Sequence, residues 1–437
     1  MSLPRYPEYK DSGVEWLGEI PSHWSIRRLQ DIAQVINGYP FDSKLFCEEG
    51  GYPLIRIRDL DADETAIRYA GDFVPAAAVM AGDVLIGMDG EFNVGRWLGS
   101  EQALLNQRMC CVRPPQHALA TFLRHALPAP LRAINDVTYS TTVKHLSSFQ
   151  VKSIRLALPE DAELEEIALF LDRETAKIDA LIAEQEKLLA LLAEKRQATI
   201  SHAVTRGLDP NVPMKDSGIP WLGEVPAHWG VSPLKYISRI GNGSTPNRDN
   251  PDYWSDTGFP WLNSSVVNQD EVTEADRFVT EFALKECHLP VIRPPAILVG
   301  ITGQGKTRGM VAPLMFEATI SQHLAYVTPE AGRLEVAYLL RVLEIAYGTL
   351  RTDSESAGST KGAITCDQLS RFTIPLPPLD EQGAIAKQID NKAAYFEKLA
   401  SDSRKAIALL KERRSALIAA AVTGQIDVRG FVEAQAA

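Results

Sequence analysis

The sequence predicts a mixed α/β (α+β) protein: two globular modules separated by two long helices that pair as an antiparallel coiled coil, under a pseudo-twofold internal repeat. Three observations predict it. A fifteen-residue peptide occurs twice, KDSGVEWLGEIPSHW at Lys10–Trp24 and KDSGIPWLGEVPAHW at Lys215–Trp229. Two amphipathic segments repeat each other without a gap, LLAEKRQATISHAVT (191–205) answering LLKERRSALIAAAVT (409–423). Between these lie diverged stretches of short apolar runs broken by Gly and Pro. A shared scaffold built twice, carrying two variable modules, accounts for that distribution.

In chain order the reading gives a first globule over 1–158, a helical spacer over 159–209, a second globule over 210–376, and a helical spacer with tail over 377–437. Strands are expected at Tyr52–Ile57, Asp83–Ile86, Met109–Val112, Ala296–Val299 and Leu324–Val327, where β-branched and apolar residues run between turn formers. In the first helix, steps of three and four residues put Leu164, Ile167, Leu171, Ile178, Leu181, Leu188 and Leu192 on one seam, with Glu174 and Gln185 interrupting it. The second seam holds Ile385, Ile389, Phe396, Leu399, Ala406 and Leu410, with Lys392 and Ser403 as its polar members. A 3.5-residue repeat makes a narrow seam suited to a coiled coil. Each helix should start just after a proline (Pro159; Pro377 and Pro378), followed by acidic residues that suit a helix start. Basic pairs, Lys195-Arg196 and Arg413-Arg414, lie towards the far ends, and the helices should stop near Gly207 and Gly424. About 35 to 40 residues at 1.5 Å each give a rod of roughly 50 to 60 Å.

The chain has 437 residues, 45% of them hydrophobic and 23% charged, which excludes a largely disordered polymer. The formal charge of −11 at first argues against a nucleic-acid partner. However, residues 159–209 alone carry 6 basic and 12 acidic side chains, so each globule is close to balanced and has room for a basic face. The five cysteines form no C-x-x-C pair, against a zinc ribbon or a disulfide scaffold. No apolar run reaches the roughly 18 residues of a membrane helix, and the start lacks a signal-peptide core. A cytoplasmic location is expected.

Gly300–Thr307 (GITGQGKT) satisfies the G-x-x-x-x-G-K-[ST] pattern after an apolar strand. A phosphate loop must also open a helix, whereas Gly309 and Pro313 oppose one. The matching stretch Val84–Asn93 has a strand and glycine loop without GK[ST]. We read both as turns, which leaves a P-loop nucleotide hydrolase as the alternative function. A two-headed protein-interaction scaffold is a further one. No G-x-S-x-G, H-E-x-x-H or [ND]-P-P-[YF] occurs. The chain reads as a binder, with no catalytic or metal residue assigned.

The doubled W-L-G-E-[IV]-P-x-H-W, together with Pro375–Gln382 (PLPPLDEQ) and Ile385, resembles the specificity subunit of type I restriction–modification systems. The first copy reads Leu156–Glu163 (LALPEDAE) instead. The resemblance implies two target recognition domains, each reading part of a split asymmetric DNA site. It also implies helices that hold them apart and dock two modification subunits, with restriction subunits joining the complex. This chain would need no cofactor; partner subunits would use S-adenosylmethionine, ATP and magnesium. Arg and Lys suit guanine, Asn and Gln adenine, while Ser and Thr are adaptable. The candidate DNA-binding residues are therefore the polar members of repeat-equivalent loops. One pair of loops offers Asn93 and Arg96, against Gln304, Lys306 and Arg308. A second offers Asn106, Gln107 and Arg108, against Ser321, Gln322 and His323. A third offers Thr141, Thr142 and Lys144, against Ser359, Thr360 and Lys361. The lysines suit phosphate rather than bases. Gln107 and Gln322, which recur, are read as internal ligands at strand ends.

Overall fold

The computed structural model describes residues 4–137, 144–303, 305–356 and 362–431. By compactness the chain forms two units. One comprises residues 1–186 and 404–437, the other residues 187–403. Each therefore contains one module, the beginning of the long helix that follows it, and the end of the other long helix.

In the first unit the tryptophan hairpin pairs Tyr9–Asp11 with Glu19–Pro21. A four-stranded antiparallel sheet follows, in the order Val94–Arg96, Val84–Gly87, Met109–Arg113, Gln34–Asn37. A second sheet carries one parallel pair, Tyr52–Ile55 with Ala103–Leu105. Two ten-residue helices, His117–Ala126 and Pro128–Val137, cover the first sheet. Ser25–Arg28 then pairs with Arg155–Leu158, which leads into the first long helix, Asp161–Arg206.

The second unit repeats this plan. Met214–Asp216 pairs with Glu224–Pro226. Its sheet runs Ser238–Asn242, Leu324–Pro329, Ala296–Gly300, Val311–Leu314, and its single parallel pair is Phe259–Leu262 with Thr319–Ile320. Val336–Ile345 and Tyr347–Ser356 are its helix pair, and Gly230–Pro233 pairs with Thr373–Leu376 before the second long helix, Leu379–Val422. The five expected strands all form.

The hairpin repeat has a direct physical reason. Trp24 is fully buried, and its Nε1 donates to Glu163 Oε1 at 3.0 Å. Tyr6 Oη donates to the same oxygen at 2.6 Å, and His23 Nε2 lies 2.8 Å from Oε2. Glu163 is the third residue of its helix, where the exposed amides of the first turn favour a carboxylate. In the second unit Trp229 Nε1 and His228 Nε2 meet Glu381, again the third helical residue, at 2.8 and 2.7 Å. Burying each indole is worth roughly 4–6 kcal/mol of apolar transfer. The far helix ends come to the same places. Gly424, at φ +70°, would bring an added Cβ within 2.4 Å of Pro21 and 3.3 Å of Trp24. Gly207, at φ +76°, would meet Trp229 at 3.1 Å. Both helices thus stop at left-handed glycines lying under the tryptophans.

The helices run 46 and 44 residues, longer than expected, because both first turns lie directly against the prolines and both last turns reach the glycines. Their pairing is antiparallel within each unit. Arg414 Nε is 2.9 Å from Asp179 Oδ1 in the first, while in the second one groove is lined by Lys195, Thr199 and Ala203 together with Gln388 and Lys392. The seam corrects the expected phase. Leu164, Ile167, Leu171 and Ile178 are buried and Leu192 is half-buried, but Leu181 and Leu188 are 54% and 40% exposed. Ile182 and the half-buried Leu189 take those two positions, and Thr175 is buried in place of Glu174. In the second helix Ile385 and Ile389 are buried and Phe396, Leu399, Ala406 and Leu410 half-buried. Lys392 is exposed, and Ala400 with Ser403 is buried.

Replacing Glu163 with alanine leaves a buried indole N–H and a tyrosine O–H without their acceptor. We expect a loss of about 2–4 kcal/mol in urea unfolding. Glu381 is more open, 38% side-chain exposure against 8% for Glu163, so Glu381→Ala should cost only about 1 kcal/mol.

Candidate nucleic-acid interface

In the first module four segments meet at one end of the four-stranded sheet. Asn37 ends a strand and accepts a hydrogen bond from Ser148 Oγ at 2.6 Å. At Gly38 an added Cβ would lie 1.8 Å from the Asn106 carbonyl, so only glycine lets the strand end approach the Asn106–Arg108 loop. The hairpin loop 88–93 supplies Asp89, whose carboxylate takes His145 Nδ1 at 2.7 Å and Arg108 Nε at 3.4 Å. Gly90 N donates to Lys144 O and Leu146 N to Met88 O, which docks the fourth segment. Tyr39, Asn93, Gln107, Arg108 and His145 are left exposed.

The second module assembles the same four segments from different side chains. Gly243 is its tight glycine, with an added Cβ 1.7 Å from the Ile320 carbonyl. Thr245 Oγ1 donates to Gln322 Oε1. His323 Nδ1 is 2.7 Å from Thr302 Oγ1, and Ile364 N donates to Ile301 O. Asn242, Lys306, Gln322 and His323 are exposed.

The sequence-derived candidates divide accordingly. Gln107 and Gln322 are exposed rather than internal strand-end ligands. Asn106 is half-buried, its Oδ1 taken by Arg108 N, and Ser321 is buried beneath the loop. Arg308 is also turned inward: it is 3% exposed and paired with Glu355. Arg96 stands half-buried in its strand, with Nε lacking a partner. Lys144 is held by Asn135 O and Oδ1 at 2.7 and 2.8 Å. Thr141, Thr142, Gln304, Ser359, Thr360 and Lys361 lie outside the described residues. Sequence reading missed Asn37-Gly38 and Asn242-Gly243, although the dipeptide recurs at the spacing of the tryptophan hairpins. It also missed Tyr39, Asp89 and His145, which carry no comparable signal.

Gly300–Thr307 leads into a hairpin, not a helix. Ala296–Gly300 pairs antiparallel with Val311–Leu314, and Arg351 Nη1 donates to the carbonyls of Gly305 and Arg308. A phosphate loop presents amides at a helix start, and this turn is braced by its carbonyls instead. Among the described residues no cluster of His, Cys, Asp or Glu is arranged to hold a metal ion, and no helix is long and apolar enough to cross a membrane.

A family model described as the type I restriction modification DNA specificity domain matches residues 21–190 and again 226–402. The chain belongs to this family. It is similar to the EcoBI specificity subunit of Escherichia coli, 28% identical over 98% of this chain and 91% of that one. It is also similar to the putative MjaX specificity subunit of Methanocaldococcus jannaschii, 26% identical over 94% and 96%. Among solved structures, a chain from a study of complex assembly and conformational transition of the type I R-M system superposes with a TM-score of 0.65. It is 20% identical, over 93% of this chain and 99% of that one. The HsdS subunit from Thermoanaerobacter tengcongensis gives 0.54 at 16% identity, over 93% and 98%. These two share the fold. As a specificity-family chain, the protein is a recognition component, and catalysis belongs to separate subunits.

In this specificity chain Gly38→Ala and Gly243→Ala should each displace a loop, costing about 1–3 kcal/mol and speeding amide exchange at Asn106 or Ser321. Gly87→Ala, whose added Cβ meets Ile57 at 3.4 Å, serves as the control and should change little.

Proposed function

We propose that this chain reads a bipartite, asymmetric double-stranded DNA site, each module contacting one half through its four-segment loop end. One observation carries the reading. The same backbone arrangement is built twice around a tight glycine, yet it presents Tyr39, Gln107, Arg108 and His145 in one module and Asn242, Lys306, Gln322 and His323 in the other. Equal frames with unequal amide, guanidinium and imidazole groups suit two different short sequences. Lys306 suits a phosphate contact, which fixes register without reading sequence.

The two long helices set the number of unread base pairs between the halves and carry the docking faces for two modification subunits and for restriction subunits. The acidic segment 159–209 suits a protein-facing surface, because phosphate would repel it. S-adenosylmethionine, ATP and magnesium belong to those partner chains, and the working location is the cytoplasm. The hairpin at Gly300–Thr307 leaves the nucleotide-hydrolase alternative without support.

Methylome sequencing of cells expressing this chain with its neighbouring methyltransferase tests the reading. The expected result is a split motif with an unspecified centre; one continuous motif contradicts it. Gln107→Ala should relax one half-site and Gln322→Ala the other, by about tenfold or more at a single base pair. Inserting one heptad into each helix at matched positions should lengthen the unread centre and leave both halves intact.

A further inference from the structure

A cavity of about 520 Å³ lies in the first unit, between the helix pair 117–137, the tryptophan hairpin and the last turns of the second long helix. Its lining mixes the apolar Trp16, Ile418 and Val422 with the cationic Arg124, Arg132 and Arg414, and with His125 and Asp61. His125 is only 7% exposed, and its Nε2 is buried with no hydrogen-bond partner. Two carboxylates lie close by: Asp61, which lines the cavity 3.4 Å from Arg124, and Asp179, which is taken by Arg414.

The second unit supplies an internal control. The ninth residue of the equivalent ten-residue helix is Glu344 where the first has His125. There Arg341 donates to both oxygens of Glu344 at 2.8 and 2.9 Å, and to Asp390 at 2.7 Å. The repeated scaffold thus places a carboxylate at this helix position in one copy, and an imidazole with an unpartnered Nε2 in the other.

We propose that this cavity binds a small organic oxyanion, a phosphate or sulfonate ester or a carboxylate on an apolar body. Arg132 meets the charged group directly, and Arg124 and Arg414 add their charge from their pairs with Asp61 and Asp179. His125 Nε2, buried until the ligand enters, donates to it, and Trp16 covers the body. The volume suits a ligand of that kind, and guanidiniums bind planar and tetrahedral oxyanions through paired donors.

Burial, together with Arg124 on its own helix, Arg414 from the long helix and Arg96 from the sheet, pushes His125 down to about 4; Asp179 opposes this only in part. A bound anion reverses the balance and favours the imidazolium. Binding therefore takes up a proton, and affinity rises as pH falls from 7 towards 5.

The test is calorimetry on the full-length chain with benzenesulfonate, which stays anionic across that range, and with benzyl alcohol as the neutral control. We expect binding of the sulfonate alone, tighter at pH 5 than at pH 7, with proton uptake that depends on buffer. Arg132→Gln, at an exposed position, should weaken it about tenfold, and His125→Asn should abolish the pH dependence. No binding at millimolar concentration, or binding indifferent to Arg132→Gln and Arg124→Gln, overturns the proposal. Displacement by duplex DNA would reassign the cavity to a backbone phosphate and overturn it equally.

Discussion

A carboxylate at the third position of a long helix, accepting hydrogen bonds from a tryptophan and a histidine far back in the chain, organises each half of the molecule. Glu163 takes Trp24, His23 and Tyr6, and Glu381 takes Trp229 and His228. Glu163 is desolvated and Glu381 more open, and both are compensated by their donors and by the amides of the helix start. Fixing the carboxylate fixes the direction in which the helix leaves its module. The adjoining two-stranded ladders, Ser25–Arg28 with Arg155–Leu158 and Gly230–Pro233 with Thr373–Leu376, continue the constraint into the sheets.

The same clamp explains how the ends of the chain are used. In the second unit the first long helix ends at Gly207, under Trp229, and the chain runs straight on into the tryptophan hairpin. In the first unit the second helix ends at Gly424, under Trp24, and the tail continues across the beginning of the chain. Asp427 N donates to Pro4 O and Gly430 N to Glu166, and Phe431 meets Phe170 edge-on. A covalent link in one half is thus replaced by packing in the other. Tyr338 makes a comparable tie in the second unit, its Oη lying 3.3 Å from Val204 O and 3.2 Å from Pro375 O.

Much of this was legible in the sequence, because repetition, proline, glycine and apolar runs are local signals. Helix limits followed from Pro159, Pro378, Gly207 and Gly424, and strands from β-branched runs. The coiled-coil phase was not legible. Ile167 and Ala168 are both buried where the helix lies on its module, so its first turns fit either stepping. Only the narrower seam beyond them separates Ile182 from Leu181. The loop ends were the least legible part. A polar residue on a loop has no periodicity, so whether Arg308 faces outward or meets Glu355 depends on a helix 47 residues away. The Asn-Gly dipeptides were readable in principle, since a glycine repeated at the hairpin spacing signals a close backbone approach.

A double-mutant cycle between Trp24→Phe and Glu163→Ala, followed by urea unfolding of the full-length chain, tests the clamp most directly. A specific indole–carboxylate hydrogen bond predicts a coupling of about 1–3 kcal/mol between the two sites. Additivity within about 0.5 kcal/mol would mean that the tryptophan is mere filling, and that the helix takes its direction from something else.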